Sequence, residues 1–168
     1  MPTYSKIAVI AIVLTGTCSA SCQKAKFSLN LSTPQSSVKS GADIPVAITV
    51  KNVSDHELRL LVSSGETGIG MDYWVTLLDG LGNPVPETPV GICVHGKDTP
   101  ATPFLCGIMT FSRGFVLIPI GGEDKSTTHV NLIFDLTKPG NYTVQVQRLD
   151  KATNVMVKSN KLAFTVTP

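Results

Sequence analysis

Charge is what this chain has least of. Charged side chains make up 15% of its 168 residues, against the usual quarter, and the balance is only +2. No Lys/Arg cluster with interleaved aromatics occurs, which argues against a nucleic-acid partner. The longest apolar run, residues 7–14, falls far short of the roughly 20 residues that a membrane-spanning helix needs. There is no internal repeat and no heptad pattern, which excludes a solenoid or a coiled coil. No Gly-x-Ser-x-Gly elbow is present, and the scattered carboxylates show no pairing that a glycosidase would require. Tryptophan occurs once.

What is present suits strands and turns. Apolar residues reach 42%, with 14 Gly and 11 Pro, in a length that makes one domain and is too short for two comfortable ones. Residues 27, 29 and 31 alternate apolar against polar neighbours in 25–32, and Ile44, Val46, Ile48 and Val50 do the same in 43–51. Pro45 lacks an N–H, so its end of that strand is expected at a sheet edge. Residues 57–62 read as a strand in preference to the short helix that Ser54-x-x-Glu57 would cap. Residues 71–79, apolar on both parities and holding Trp74, read as a central strand. Residues 115–120 follow, then 127–136 with Val130, Leu132, Phe134 and Leu136 inward, and 161–167 closes the chain. The clearest stretch is Lys138-Pro139-Gly140-Asn141-Tyr142-Thr143-Val144-Gln145-Val146. It is a Pro-Gly turn running into an alternating strand, with Tyr142 where a sandwich places a ring in the core and its hydroxyl on upstream backbone.

The expected fold is all-β: a single Ig-like antiparallel β-sandwich of seven or eight strands with one long disulfide-bridged loop. Cys93 and Cys106 sit in that loop and not on facing strands, so the pin of an antibody domain is missing. Residues 33–42 read as a link and 25–168 as the domain, so that 22–42 is N-terminal strand plus linker.

The first 22 residues carry an address. One basic side chain (Lys6), the apolar run 7–14 and the small residues 15–22 follow the order of a secretory signal, with 1–21 expected to be removed. Cys18 leaves with the signal, and Cys93 and Cys106 can pair in an oxidising compartment, which leaves Cys22 over. Ser19-Ala20-Ser21-Cys22 resembles a bacterial lipobox, although Ser19 stands where that motif usually has Leu. The resemblance implies lipidation of Cys22 and a lipid anchor in the membrane. The rival is ordinary cleavage after Ala20 or Ser21, giving a periplasmic or extracellular protein.

Pro119-Ile120-Gly121-Gly122-Glu123, Val130-Asn131-Leu132 and the Tyr142 corner resemble the last strands of bacterial secreted Ig-like modules, among them macroglobulin-type domains and the intracellular proteinase inhibitor of bacilli. Val38-Lys39-Ser40-Gly41-Ala42-Asp43-Ile44-Pro45-Val46 and Val50-Lys51-Asn52-Val53-Ser54 fit their opening strands. All these residues are structural, so the resemblance implies a fold and carries over no inhibitory residue.

The irregular segment 84–113 contains five prolines. A Cys93–Cys106 bridge around its 12 intervening residues would remove about 3 kcal/mol of unfolded-state freedom. A pre-ordered loop loses less entropy on docking, so Pro86, Pro89, His95, Lys97, Pro103, Phe104 and Leu105 are candidate binding residues. The rival reading is structural: the bridge restrains an insertion, and Phe104, Leu105, Ile108, Met109 and Phe111 cover a sheet edge. Cys93-x-His95 with Cys106 falls short of the four ligands of a structural zinc site. No metal, cofactor or catalytic residue is expected. Pro139, Gly140 and Tyr142 are expected to be a structural corner. The reading is therefore a monomeric exported module, without catalytic activity, that binds protein or glycan at the cell envelope. A proteinase inhibitor acting through the bridged loop and a small envelope hydrolase are the alternatives.

Overall fold

A computed structural model describes residues 24–65, 72–96 and 111–168. Two-residue alternation builds the first sheet. In β1 (Phe27–Ser32) every second residue is buried, and in β3 (Pro45–Asn52) Val46, Ile48, Val50 and Asn52 point inward. β1 and β7 (Glu123–His129) flank β3 antiparallel, Phe27 opposite Asn52 and Lys51 opposite Glu123. The second sheet runs β2 (Ser37–Lys39), β10 (Leu162–Thr167), β8 (Gly140–Asp150), β5 (Trp74–Asp79), with β9 (Val155–Lys158) paired to the far half of β8. Among the described strands only β2 and β10 run parallel. β4 (Leu58–Gly65) and β6 (Phe111–Ile118) form a separate antiparallel ribbon.

The inward residues of all three sheets make one apolar cluster, from Phe27, Ile48 and Val50 to Val75, Leu77, Val144 and Phe164, with Leu58, Leu60 and Ile118 of the ribbon. The fold is thus an all-β sandwich of Ig-like build. It has ten strands among the described residues and not seven or eight, because β2 lies inside the expected link and β9 in the stretch before 161–167 to which no strand is assigned from sequence. Both are too short, at three and four residues, to alternate visibly.

One further expectation changes. The strand expected over 127–136 is β7 followed by one helical turn, α2 (Val130–Ile133). Val130 and Ile133 are buried while Leu132 is 40% exposed, so the apolar spacing there is three and not two. Pro45 begins the strand at the centre of its sheet, where only its own end is an edge, on the β1 side. It is tolerated because β1 ends at Ser32, opposite Ala47, so no ladder partner awaits a donor from position 45.

The corner stands as read. The Tyr142 hydroxyl donates to the carbonyl of Lys138 at 2.6 Å, and its ring stacks on Phe164 at 5.8 Å between centroids. Pro139 turns the chain into β8, whose first residue, Gly140, lies opposite Val166. Tyr142→Phe keeps the ring and deletes the bond, so urea unfolding should show a loss of about 1 kcal/mol. An unchanged midpoint would remove the corner's role.

At the other end of β8 the Asp150 carboxylate accepts the N–H of Lys26 at 2.8 Å and that of Ala152 at 3.0 Å. Burial pushes its pKa up, but the donors from Lys26, Thr153 and Ala152 outweigh that and hold it below the ordinary value. A folded-state pKa below the unfolded one stabilises the fold above the carboxylate range and ceases to do so as pH falls through it. Acid titration should therefore destabilise the wild type more steeply than Asp150→Asn, which keeps an acceptor without the charge. Parallel stability curves for the two proteins would contradict this.

Candidate functional site

The segment from Asn83 to His95, where the candidate loop begins, is laid along the outer edge of β5. Positions 75, 77 and 79 turn their backbone away from β8, and each is met. The N–H of Val75 donates to His95 Nε2 at 3.4 Å, the carbonyl of Leu77 accepts from Val85 at 3.0 Å, and the N–H of Asp79 donates to Asn83 at 2.9 Å. β5 is accordingly an edge strand of its sheet and not the central strand expected from its double-sided apolarity. Of its second apolar side, Trp74 lies on His95 of this cover.

The cover is itself pinned. Thr88 caps the short helix α1 (Pro89–Val94), accepting the N–H of Gly91 on Oγ1 at 3.1 Å, and Pro89 sits in the first turn, where no donor is needed. The N–H of Thr88 reaches the carbonyl of Ile133 at 2.8 Å, and Pro86 accepts from the N–H of Asp135 at 2.9 Å. At Gly91 a Cβ would fall 2.1 Å from the Ile133 oxygen, so only glycine lets α1 lie this close to α2. Pro86 and Pro89 therefore serve the docking of the segment.

His95 is buried, its side chain 1% exposed. A backbone N–H can only donate, so Nε2 is the acceptor for Val75, and Nδ1 carries the proton that goes to Glu87 Oε1 at 2.9 Å. Both nitrogens of a neutral imidazole are thus used inside the fold. The ring is packed between Trp74, stacked at 5.4 Å and 16°, and Phe134, tilted at 6.1 Å. His95 is a buried post, and its nitrogens are closed to a ligand from solution. Trp74 covers it and remains 54% exposed.

Cys93, buried on the last turn of α1, is disulfide-bonded. The remaining residues singled out by sequence, Lys97, Pro103, Phe104, Leu105, Cys106 and the lipidation candidate Cys22, lie outside the described residues. The structure thus brings Pro86, Pro89, Cys93 and His95 together at the loop base. It adds two that sequence reading did not place there, Trp74 and Glu87. Nothing in the spacing of Glu87 and His95 signalled their pairing, since it depends on the turn that Thr88 starts.

A second feature is a cleft of about 500 Å³ between the ribbon and the end of β8, lined by Arg59, Leu61, Asp72, Phe115, Arg148 and Lys151 among others. The Arg59 guanidinium lies 3.9 Å over the Phe115 ring. The carboxylates here are engaged internally: Asp72 accepts the N–H and hydroxyl of Ser63 at 2.9 and 2.7 Å, and Asp150 holds the strand ends described above. Among the described residues no three His, Cys, Asp or Glu are grouped to hold a metal, and no helix is long and apolar enough to cross a membrane.

No family model matches the chain, and no curated protein does. Among solved structures, part of the Pseudomonas fluorescens alkylpurine DNA glycosylase AlkC is similar at a TM-score of 0.42 and 13% identity, covering 86% of this chain and 31% of that one. A β-glucosidase from Listeria innocua gives 0.41 and 15%, covering 84% of this chain and 16% of the enzyme. A β-glucuronidase from Bacteroides uniformis gives 0.38 and 12%, with 83% and 13% covered. The chain thus spans less than a third of each of these proteins, and at such scores we take nothing from them about chemistry.

Proposed function

We propose that this chain is an exported binding module without catalytic activity of its own, which engages protein or glycan at the cell envelope, with Cys22 as the point of lipid attachment. One observation carries the reading: the bridged loop springs from a fixed base. α1 is capped by Thr88, closed against α2 through Gly91 and tied to the edge of β5 by His95, with a disulfide leaving from Cys93. A loop anchored so closely loses little entropy when it docks, which is what recognition by a small domain requires. The exposed indole of Trp74 beside the base is the kind of rigid aromatic that anchors interfaces. Pairing of Cys93 with Cys106 belongs to this proposal.

The test uses the mature protein against a glycan array and against cross-linked envelope fractions. Two variants are compared with wild type, one with residues 97–105 replaced by Gly and Ser while both cysteines are kept, the other Trp74→Ala. Specific capture that both variants lose supports the reading; capture indifferent to both sinks it. The fixed base of the loop also favours the inhibitor alternative. Inhibition of a protease at substoichiometric amounts, lost with the loop replacement, would decide for that role.

A further inference from the structure

We infer that the outer edge of β6 is a docking edge that takes an extended acidic peptide as an added β-strand, with Phe115, Leu117 and Arg59 reading its side chains. The direction of the edge follows from β4. There the carbonyl of Leu61 accepts from Arg148 and the N–H of Ser63 donates to Asp72, so these backbone groups point away from β6. In an antiparallel pair, residues opposite one another either exchange both hydrogen bonds or both turn their backbone groups away from each other. Phe115 stands opposite Leu61 and Leu117 opposite Arg59, on the same parity, so both turn their N–H and C=O outward. No strand of the described residues pairs with them there.

Three other strand edges are met from within the fold. β5 is covered by Asn83–His95, β4 by Arg148 and Asp72, and β1 by Asn160, whose side-chain amide accepts from the N–H of Leu31 at 2.7 Å and donates to its carbonyl at 3.2 Å. β7 has an uncovered edge, but it carries Glu123, Asp124 and Lys125, the charges that discourage strand addition. β6 has the reverse character: Phe115 and Leu117 are 58% and 56% exposed. The two residues offer two donors and two acceptors in line, the pattern of strand addition.

Charge selects the occupant. Arg59 stacks on Phe115, and Lys151 borders the same cleft; neither has a carboxylate within ion-pair distance among the described residues. The nearby carboxylates of Asp72 and Asp150 are used internally. An incoming strand turns every second side chain to the face that holds Phe115, Leu117 and Arg59, and apolar and acidic residues taking turns along that one face would lie on Phe115 and Leu117 and bring carboxylates to Arg59 and Lys151. This surface does not depend on the bridged loop, and its failure would leave the loop proposal standing.

The experiment is fluorescence anisotropy with two labelled octapeptides, one repeating Val-Thr-Glu-Thr and the other Val-Thr-Lys-Thr, so that Val and the charged residue share a face, at low salt. The expected result is binding of the Glu peptide alone, weakening with added salt. Leu117→Pro removes an outward donor without touching the β4 ladder, and Arg59→Glu reverses the charge. Each should weaken binding by roughly tenfold or more, and Arg59→Glu should gain affinity for the Lys peptide. Thermal melts report whether either variant has lost the fold; if Leu117→Pro has, the charge exchange at Arg59 decides. No binding by wild type, equal binding of both peptides, or equal binding by a folded Leu117→Pro would overturn the proposal. So would a dimer in sedimentation that Leu117→Pro abolishes, since the edge would then belong to a second copy of the chain.

Discussion

Asn52→Ala should lower stability by about 3 kcal/mol, a shift of about 10 °C in Tm for a domain of this size. The buried side chain shares its two amide hydrogens among the carbonyls of His56, Ile118 and Pro119, at 2.9, 2.9 and 3.1 Å. Its oxygen accepts the N–H and hydroxyl of Ser54 at 2.9 and 2.7 Å. One residue at the end of β3 thus holds the turn into β4 and the turn out of β6. Alanine leaves buried carbonyls without donors, and that desolvation exceeds the modest net worth of the bonds themselves. Asn52→Asp separates the two halves of the network, because it keeps an acceptor for Ser54 but aims a carboxylate at three carbonyls. It should cost at least as much as alanine. Thermal melts that place the aspartate variant near wild type would show that the Ser54 side, and not the carbonyl side, is what matters.

The second large effect is expected at Arg148, which stands on the inward parity of β8, where Val144 and Val146 are apolar. Its guanidinium donates to the Tyr73 hydroxyl at 3.0 Å and to the carbonyl of Leu61, and lies 4.9 Å from the centre of the Tyr73 ring. It ties the second sheet to the ribbon, with no carboxylate in ion-pair distance among the described residues. Burial pushes the Tyr73 hydroxyl pKa up, while the neighbouring guanidinium pulls it down. Arg148→Ala removes the stem, the charge and both donors and should cost about 4 kcal/mol. Arg148→Met retains most of the packing and should cost about half of that. Chemical denaturation of both variants measures the two parts, and equal losses would mean that the hydrogen bonds, and not the packed stem, carry the contribution. Since both Asn52 and Arg148 hold the ribbon in place, each substitution should also weaken peptide binding at β6 once the ribbon loosens, at temperatures below global unfolding.

The comparison of these sites shows why the loop was easier to locate than to interpret. Prolines, a pair of cysteines and the lack of alternation marked 84–113 as unusual. They did not say that its first third is the cover of a sheet edge, because edge position depends on which strands pair. His95 stood among the candidate contacts because it lies in the bridged loop. The fold places it under Trp74 with both nitrogens in use, an arrangement set by the N–H of Val75, twenty residues earlier in the chain. The open edge of β6 was invisible for the same reason: Phe115 and Leu117 read simply as strand residues, and their exposure follows from the absence of a described strand beside them.

By itself the sequence determined the all-β class, the places of most strands and the Tyr142 corner. These rest on contacts close in the chain: two-residue alternation, turn residues, and a hydroxyl reaching a carbonyl four residues away. Tertiary structure alone decided which strands lie at edges, which edges are covered, that 130–133 coils instead of extending, and that buried Asn52 and Arg148 fasten the ribbon to the sandwich. Those outcomes depend on hydrogen bonds and packing between residues far apart in the chain, such as Arg148 and Leu61, and a backbone donor becomes a site only when pairing leaves it unmatched.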